Sequence, residues 1–145
     1  FSPNAPMTRG MLVTVLYRLA GSPKSAADSG FADVAADKYY ADAVSWAAEN
    51  GIVSGVSDGR FAPDSRVTRE QLAAMLYRYA GSPAVSGELG FDDADSISAW
   101  ARDAVRWCVY NGILNGVGGN RMTPQDLARR GQVAAMLMRF LQATV

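Results

Sequence analysis

Apolar residues recur with the spacing of an α-helix in three segments of the chain. Each segment has apolar side chains at i, i+3, i+4 and i+7, which place them on one helix face. They are Leu12, Val15, Leu16 and Leu19, then Leu72, Met75, Leu76 and Tyr79, then Val133, Met136, Leu137 and Phe140. Thr68 and Gln71 fit a capping box before the second segment, and Gly81 and Pro83 follow it as stop signals. We call these three predicted helices block B.

Two other segments, residues 39–50 and 99–111, predict helices with a narrower face of small residues. These faces consist of Ala43, Val44, Ala47 and Ala48 in one segment and Ala104, Val105, Cys108 and Val109 in the other. Each segment ends in Asn-Gly, which is typical of a helix C-terminus. Small side chains allow close packing of another helix. We call these two predicted helices block A.

Blocks A and B alternate with a period of about 60 residues. A glycine-rich loop joins each block A to the next block B, and Asp58-Gly59 is a tight-turn signal within it. The repeat assigns residues 1–30 to the second half of one module, 31–90 to a complete module, and 91–145 to another. Five helices without long alternating strands predict an all-α fold. Because one helix pair is too small to bury its own core, the modules must pack on each other.

The composition of the 145 residues narrows the possible functions. The formal net charge is zero, which argues against general nucleic-acid binding. The chain has no histidine and one cysteine, so it lacks the commonest general base and any cysteine-based zinc cluster. The acidic cluster Asp92, Asp93 and Asp95 precedes a helix and is interpreted as turn and cap residues. No phosphate-loop motif is present. We therefore predict no catalytic site, no metal and no cofactor.

The chain begins inside a repeat, so we expect it to be a piece of a longer protein. No apolar run approaches the roughly 20 residues that a transmembrane helix needs. The first module lacks its block A, and a set of three complete modules would have six helices. We therefore expect an exposed apolar face on the helix at 8–20, which self-association could cover.

The order of motifs within the repeat resembles the S-layer homology (SLH) domain family. The motifs are "FADV" at 31–34, "GIVSG" at 51–55, "DGRFAP" at 58–63 and "VTREQ" at 67–71. They follow one another at the family's spacing, and the likeness covers essentially the whole chain as two and a half modules. Each motif is weak alone, but their repeated order is specific.

This sequence departs from the family pattern in its first and third repeats. Tyr39 stands where the family usually has a tryptophan, which Trp100 retains. Gly10 and Gly131 occupy the position of a glutamate, and Arg129 occupies that of a threonine. The second repeat is the most faithful to the family.

The resemblance implies a function as well as a fold. SLH modules typically form a pseudo-threefold prism, and grooves between modules bind secondary cell-wall glycans, often with a ketal-linked pyruvate. It therefore implies a non-catalytic cell-wall anchoring module whose partner is a secondary cell-wall polysaccharide or a peptidoglycan-linked glycan. The implied location is extracellular, in the cell wall or S-layer of a bacterium with a Gram-positive-type envelope. The alternative is a protein–protein interaction or surface-assembly module, for which a large apolar patch would be expected.

Arg9, Arg69 and Arg130 each take the first position of a predicted block B helix. A cation there opposes the helix macrodipole. An anionic ligand would reverse this cost, because free backbone N–H groups at the helix start and the guanidinium would both bind it. The residues alone favour a structural role, in which each arginine pairs with a carboxylate, whereas the family resemblance favours the ligand role, most for Arg69 and least for Arg130. Carboxylates available for such ion pairs are Glu70, Asp33 and Asp93.

Six further residues are candidate ligand-binding positions, namely Tyr39, Trp100, Asp33, Asp93, Gly55 and Gly116. The aromatic side chains could stack on sugar rings or anchor the core. The aspartates could bind sugar hydroxyls or cap turns, and the glycines could admit a ligand or supply a positive φ. Trp46 and Trp107 are interpreted as core or groove wall. Arg18, Arg78 and Arg139 lie near the ends of the block B helices, where a cation is favourable, and are interpreted as structural.

Overall fold

The computed structural model describes residues 4–24, 30–56 and 58–144, within which it forms five α-helices. They are α1 (Arg9–Leu19), α2 (Ala41–Glu49), α3 (Arg69–Tyr79), α4 (Arg102–Tyr110) and α5 (Arg130–Ala143). Two short 3₁₀ turns, Ala94–Ser96 and Ala99–Ala101, precede α4. The described residues form only isolated β-bridges and no strand. The predicted all-α fold is confirmed.

The three block B helices begin where the sequence predicts. Thr8 and Thr68 cap α1 and α3 with their hydroxyl oxygens, and Thr68 and Gln71 form the predicted capping box. At the start of α5, where Arg129 replaces threonine, the Gln132 side chain still accepts a hydrogen bond from the Arg129 N–H, at 3.0 Å. At the other end of α3, Gly81 has φ +91°, a conformation that glycine adopts without steric cost.

The two block A helices are shorter than predicted. Helix α2 begins at Ala41 and α4 at Arg102, so Tyr39 and Trp100 lie in the turns that lead into them. Both helices end at the predicted asparagine, whose side-chain amide donates to a tryptophan carbonyl one turn earlier at 2.8 Å. The two tryptophans, Trp46 and Trp107, are buried, as expected for core residues.

The chain divides into two compact units. One unit spans Met7–Arg66, and the other combines the residues before Met7 with those from Val67 onward. In the first unit α1 packs against α2, and in the second α3 packs against α4. Each of these block B helices therefore packs against the block A helix that follows it in the chain.

This packing corrects the expectation of an exposed apolar face on the helix at 8–20. Leu12, Val13 and Leu16 of α1 are fully buried, and Tyr17 contacts Trp46 of α2 with ring centroids 5.7 Å apart. The expectation was wrong for Leu12 and Leu16, because α1 packs against α2 of the next module, whereas Leu19 at the end of α1 is 41% exposed. Self-association stays a prediction.

The repeat also keeps its loop geometry where its sequence changes. Asp58 and Gly59 both have positive φ, and the aligned Gly119 and Asn120 do too. The reversed order of residue types in the third repeat therefore preserves the tight turn. Phe1 and Pro3, which the repeat aligns with Phe61 and Pro63, lie outside the described residues. None of the described helices is long and apolar enough to cross a membrane. The prism arrangement of the modules stays a prediction.

Candidate functional site

Arg69 connects the start of α3 to the loop that follows α4. Its side chain is only 4% exposed. Nε donates to the carbonyl oxygen of Met122 at 2.9 Å, and Nη2 donates to the carbonyl oxygen of Asn115 at 2.7 Å. Burial lowers the pKa of Arg69, while the charges of Asp126 and Asp93 oppose that effect. A guanidinium remains protonated under these conditions, since its ordinary pKa is so high.

Arg9 makes the equivalent contacts in the other unit. Nε donates to the carbonyl oxygen of Phe61 at 2.9 Å, and Nη2 donates to that of Ser54 at 3.3 Å. The guanidinium carbon also lies 4.6 Å from the centroid of the Phe61 ring, within the range of a cation–π interaction. Both arginines thus hold a glycine-rich loop to the helix start through backbone carbonyls. This is a structural role, but with partners other than the predicted carboxylates.

The first-turn N–H groups of the block B helices are already used. In α3, the N–H groups of Arg69 and Glu70 donate to the carbonyl oxygens of Asp126 and Pro124 at 2.9 and 3.0 Å. The Gln71 N–H donates to the Thr68 hydroxyl. Helix α1 repeats this pattern, and the N–H of Arg130 donates to Ala5. The expectation that free N–H groups would receive a ligand carboxylate is therefore wrong for α1 and α3.

Glu70 does not serve as the partner of Arg69. Its carboxylate is buried and accepts hydrogen bonds from the backbone N–H and the hydroxyl of Ser98, at 2.9 and 2.7 Å. Gln125 donates to the same carboxylate at 3.3 Å. Glu70 therefore fixes the turn that leads into α4.

Asp33 and Asp93 each hold the loop at the end of the glycine-rich segment. Asp93 accepts from the backbone N–H groups of Met122 and Thr123 at 2.7 and 2.8 Å. Asp33 accepts from Phe61 and Ala62, both at 2.8 Å. For both carboxyls burial is the largest single influence and raises the pKa. The backbone hydrogen bonds and a neighbouring arginine together outweigh it, so both pKa values lie below the ordinary one.

Gly55 and Gly116 are required by close packing of an aromatic ring. A Cβ on Gly116 would lie 2.8 Å from Cε1 of Phe91 and 2.9 Å from the carbonyl oxygen of Arg121. A Cβ on Gly55 would lie 2.9 Å from Cε1 of Phe31. Neither glycine has a positive φ, so the conformational explanation offered from the sequence is wrong for both.

The candidate aromatic residues are exposed. Tyr39 packs edge-to-face on Tyr40 with centroids 5.0 Å apart, and Trp100 sits in the turn before α4. Each exposes more than half of its surface. Their exposure fits ring stacking on a ligand better than it fits a core role.

A cleft of about 490 Å³ lies beside Arg69 in the unit that contains α3, α4 and α5. One wall is the loop at 114–117, which includes Gly116, and the other is α5 from Gly131 to Arg139. The α5 side chains with polar groups in this lining are Gln132 and Arg139. A second cleft of about 480 Å³ shares Arg69, Val117 and Gln132 with the first. Together the two clefts form a continuous candidate binding surface around Gln132.

The predicted site residues are only partly brought together. Arg69 and Gly116 share the cleft beside α5, whereas Asp33 lines a separate cleft of about 400 Å³ with Arg60 and Asp64. Tyr39 and Trp100 lie outside the linings of these clefts. Arg130 is half-buried at the start of α5.

Sequence reasoning missed two residues of the cleft. Arg139 was interpreted as purely structural because of its place near the helix end, yet it lines the cleft with Arg69. Gln132 is equivalent to Gln71, which serves as a capping residue, so its pattern indicated a structural role. The repeat alignment could not have identified them, because the cleft brings together three separate segments of the chain, namely Arg69, the loop at 114–117 and α5.

Comparison with known proteins identifies the repeat. The S-layer homology domain pattern matches residues 30–73 and 90–134. An amylopullulanase of Thermoanaerobacterium thermosulfurigenes is 32% identical over 98% of this chain and 8% of its own length. The Surface-layer 125 kDa protein of Lysinibacillus sphaericus is 34% identical over 85% of this chain and 10% of its own length.

The cellulosome-anchoring protein of Acetivibrio thermocellus is 24% identical over 98% of this chain and 33% of its own length. The chain thus corresponds to a minor part of each of these relatives, and the match to an enzyme covers a small share of that enzyme. The amylopullulanase, the surface-layer protein and the cellulosome-anchoring protein share the segment that matches this chain. This chain belongs to the S-layer homology domain family.

Proposed function

We propose that this chain is a non-catalytic module that anchors the protein carrying it to the bacterial cell wall. The proposal is supported by relatives that include a surface-layer protein and a cellulosome-anchoring protein. The enzyme among the relatives described above matches over only 8% of its length, which fits an appended anchor better than a catalytic domain. We infer a location at the cell surface of a bacterium with a Gram-positive-type envelope.

The ligand in this proposal is a secondary cell-wall glycan with an anionic substituent, such as a ketal-linked pyruvate. The observation that carries it is the cleft beside α5, where Arg69 and Arg139 line one concave surface. Two arginines around one cleft favour a ligand with a negative charge, because a guanidinium can donate two parallel hydrogen bonds to a carboxylate.

Each residue has a separate task in this mechanism. The hydrogen bonds that Arg69 makes to the protein use Nε and Nη2, so Nη1 offers its donors to the ligand. Arg139 supplies the second cation, and the side-chain N–H groups of Gln132 can donate to sugar hydroxyls, while its oxygen accepts from the Arg129 N–H. Gly116 leaves this part of the loop wall without a side chain, because the Phe91 ring occupies the space that a Cβ would need.

Substitution of Arg139 is the most direct test of the cleft. Arg69→Ala would also break the loop, whereas Arg139 is half-buried and can be changed to glutamine with less risk to the fold. We expect Arg139→Gln to weaken binding to purified wall glycan by about tenfold or more, since a charge-assisted hydrogen bond is lost. Arg18→Gln is the matched control, because Arg18 holds the equivalent, exposed position on α1.

The same assay separates charge recognition from sugar stacking. Mild acid removes ketal-linked pyruvate, and we expect the treated glycan to bind more weakly and to no longer distinguish Arg139→Gln from the unchanged chain. Undiminished binding after treatment would indicate that the glycan binds by ring stacking on the exposed Tyr39 and Trp100. Absence of binding to both preparations would overturn glycan anchoring and favour the protein–protein alternative.

A further inference from the structure

A small cavity of about 190 Å³ lies against the first half of α4. Three segments form its walls, namely the linker at 88–89, the turn at 94–97, and α4 itself. Among the described residues, those that line this cavity do not line the two clefts around Gln132. We call it the α4 pocket, and it is a site separate from the candidate glycan surface.

Two arginines about one helical turn apart, Arg102 and Arg106, line the α4 pocket. The Nε of Arg102 makes a long contact of 3.5 Å with the carbonyl oxygen of Ile97. Arg106 forms an ion pair with Asp103 through Nη1, at 2.8 Å, and its Nε is enclosed by the protein. Among the described residues, neither that Nε nor the other Nη groups of the two arginines have a hydrogen-bond partner. The fold therefore leaves most donors of these two guanidiniums unused, although an unmade buried hydrogen bond is costly.

The block A helix does not need these arginines in order to form. Helix α2 aligns with α4 and has the same length of nine residues. It has Ala41 and Ser45 in the places of Arg102 and Arg106. The Ser45 hydroxyl donates to the carbonyl oxygen of Ala41 at 3.1 Å, within the helix itself. The two cations are thus particular to the module at 91–145, and the fold of the repeat does not explain them.

Tyr110, the last residue of α4, fixes the linker wall of the α4 pocket. Its hydroxyl donates to the carbonyl oxygen of Glu88 at 2.6 Å. Gly87 has φ +117°, and a Cβ there would overlap the Tyr110 ring, so the linker approaches the ring because residue 87 is glycine. The residue aligned with Tyr110 in α2 is Glu49. A wall that is fixed before binding reduces the entropy lost when a ligand binds.

The α4 pocket also has two carboxylates in its lining, those of Glu88 and Asp95. Within the described part of the chain, neither forms an ion pair with Arg102 or Arg106, although all four residues line one small cavity. Opposite charges that line one cavity without pairing favour a ligand that carries both signs of charge. A simple anion would meet the two carboxylates, and a simple cation would meet the two guanidiniums.

We propose that the α4 pocket binds the zwitterionic group of an α-amino acid. The carboxylate of the ligand accepts hydrogen bonds from Arg102 and Arg106, because a guanidinium matches a carboxylate in both shape and charge. The ammonium of the ligand donates to Glu88 and Asp95. The proposal does not depend on glycan anchoring, because the α4 pocket and the cleft beside α5 are lined by different residues.

NMR titrations with L-alanine, propionate and ethylamine test the two charges of the ligand separately. Propionate lacks the ammonium of L-alanine, and ethylamine lacks its carboxylate. We expect L-alanine to shift the backbone N–H signals of residues 88–106 in a saturable way, with millimolar affinity, because the contacts are few. Propionate and ethylamine should each bind at least about tenfold more weakly, since each loses one set of charge-assisted hydrogen bonds.

Substitution of each arginine tests the carboxylate end of the ligand. Arg102→Ala and Arg106→Ser introduce the residues that α2 has at the aligned positions, so we expect α4 to keep its fold. Each change should weaken L-alanine binding at least about tenfold. Arg66→Ser is the matched control, because Arg66 is exposed and belongs to the other compact unit, and it should leave the affinity unchanged.

Loss of both carboxylates should reverse the selectivity of the α4 pocket. In the double variant Glu88→Gln, Asp95→Asn, the ammonium of L-alanine loses its partners, while propionate no longer meets two negative charges. We expect L-alanine to bind more weakly and propionate more tightly, each by about fivefold or more. A purely structural role of these side chains would not change the order of the two ligands.

Three results would overturn the proposal. One is a titration that does not approach saturation at about 100 mM L-alanine. Another is equal binding of propionate and L-alanine, because the α4 pocket would then be a site for simple anions. The last is unchanged L-alanine binding in both arginine variants, because the ligand would then bind elsewhere on the chain.

Discussion

Arg69 and Asn115 are joined by a hydrogen bond of 2.7 Å from Nη2 to the backbone carbonyl oxygen, across 46 residues of sequence. This contact explains why an arginine recurs at an electrostatically unfavourable helix position. The cost of opposing the macrodipole is a few tenths to about 1 kcal/mol. Bonds from a guanidinium to buried carbonyl oxygens contribute more, at about 1.5–3 kcal/mol each when a charged group is involved. The stabilisation from these hydrogen bonds therefore exceeds the cost of placing a cation at the helix start.

Arg69→Lys should destabilise the chain although the charge is kept. An ammonium cannot reach the carbonyl oxygens of Met122 and Asn115 together, because it lacks the fork of the guanidinium. We expect the free energy of unfolding in urea to fall by about 2–4 kcal/mol. Arg66→Lys is the control, since Arg66 is exposed, and it should change stability by less than about 0.5 kcal/mol. Equal stability of the two variants would contradict the role given to Arg69.

Gly116→Ala should destabilise the chain through a steric clash. The added methyl group would meet Cε1 of Phe91 at 2.8 Å and the backbone oxygen of Arg121 at 2.9 Å, and the backbone cannot move aside cheaply. Overpacking of this kind costs about 1–3 kcal/mol. Equilibrium unfolding in urea measures the loss.

Gly90→Ala is the matched control for this clash. A Cβ at Gly90 meets nothing within 4 Å, and its φ is not positive, so we expect little change. Combining Gly116→Ala with Phe91→Leu should recover part of the stability, because the smaller side chain relieves one of the two contacts. A loss that is unaffected by the change at Phe91 would show that the ring is not the obstacle.

Asp93 should contribute to the pH dependence of stability. Its pKa in the folded chain lies below the ordinary value of 3.8, because backbone N–H groups of Met122 and Thr123 favour the ionised form. A depressed carboxyl pKa stabilises the fold fully above the unfolded value. That contribution is lost as the pH falls from about 4 through the folded pKa.

Urea unfolding of Asp93→Asn at pH 7 and near pH 3 measures this effect. The variant should be less stable than the unchanged chain at pH 7, and the difference should shrink at the lower pH. Asp92→Asn is the control, because Asp92 is exposed and accepts instead from the side chain of Asn120. A difference between Asp93→Asn and the unchanged chain that is constant with pH would contradict the assignment.

Cys108 should be unreactive in the folded chain. Burial raises the pKa of its thiol to about 12, so the nucleophilic thiolate is scarce at pH 8. We expect alkylation by iodoacetamide to follow global unfolding, with complete reaction in denaturant. Rapid reaction of the native chain would show that α4 separates from α3, since Cys108 lies against Ala73 in that pair.

The sequence by itself determined the local structure. Helical spacing placed all three block B helices, and Thr68 with Gln71 predicted a cap that the structure contains. The repeated motifs also indicated the family, and its pattern matches residues 30–73 and 90–134. These features could be predicted because each depends on side chains within a few residues of one another.

Only the tertiary structure decided which distant residues and helices contact one another. The family resemblance made Arg69 a candidate ligand contact, but its hydrogen bonds to the carbonyl oxygens of Met122 and Asn115 follow from no local pattern. Gly116 is fixed by Phe91, which is 25 residues away in the sequence. An exposed apolar face was expected on the first block B helix, but α2 covers Leu12 and Leu16 there, because α1 pairs with the block A helix that follows it in the chain. Helical periodicity reveals which face is apolar, whereas the neighbour that buries it is set by packing between distant segments.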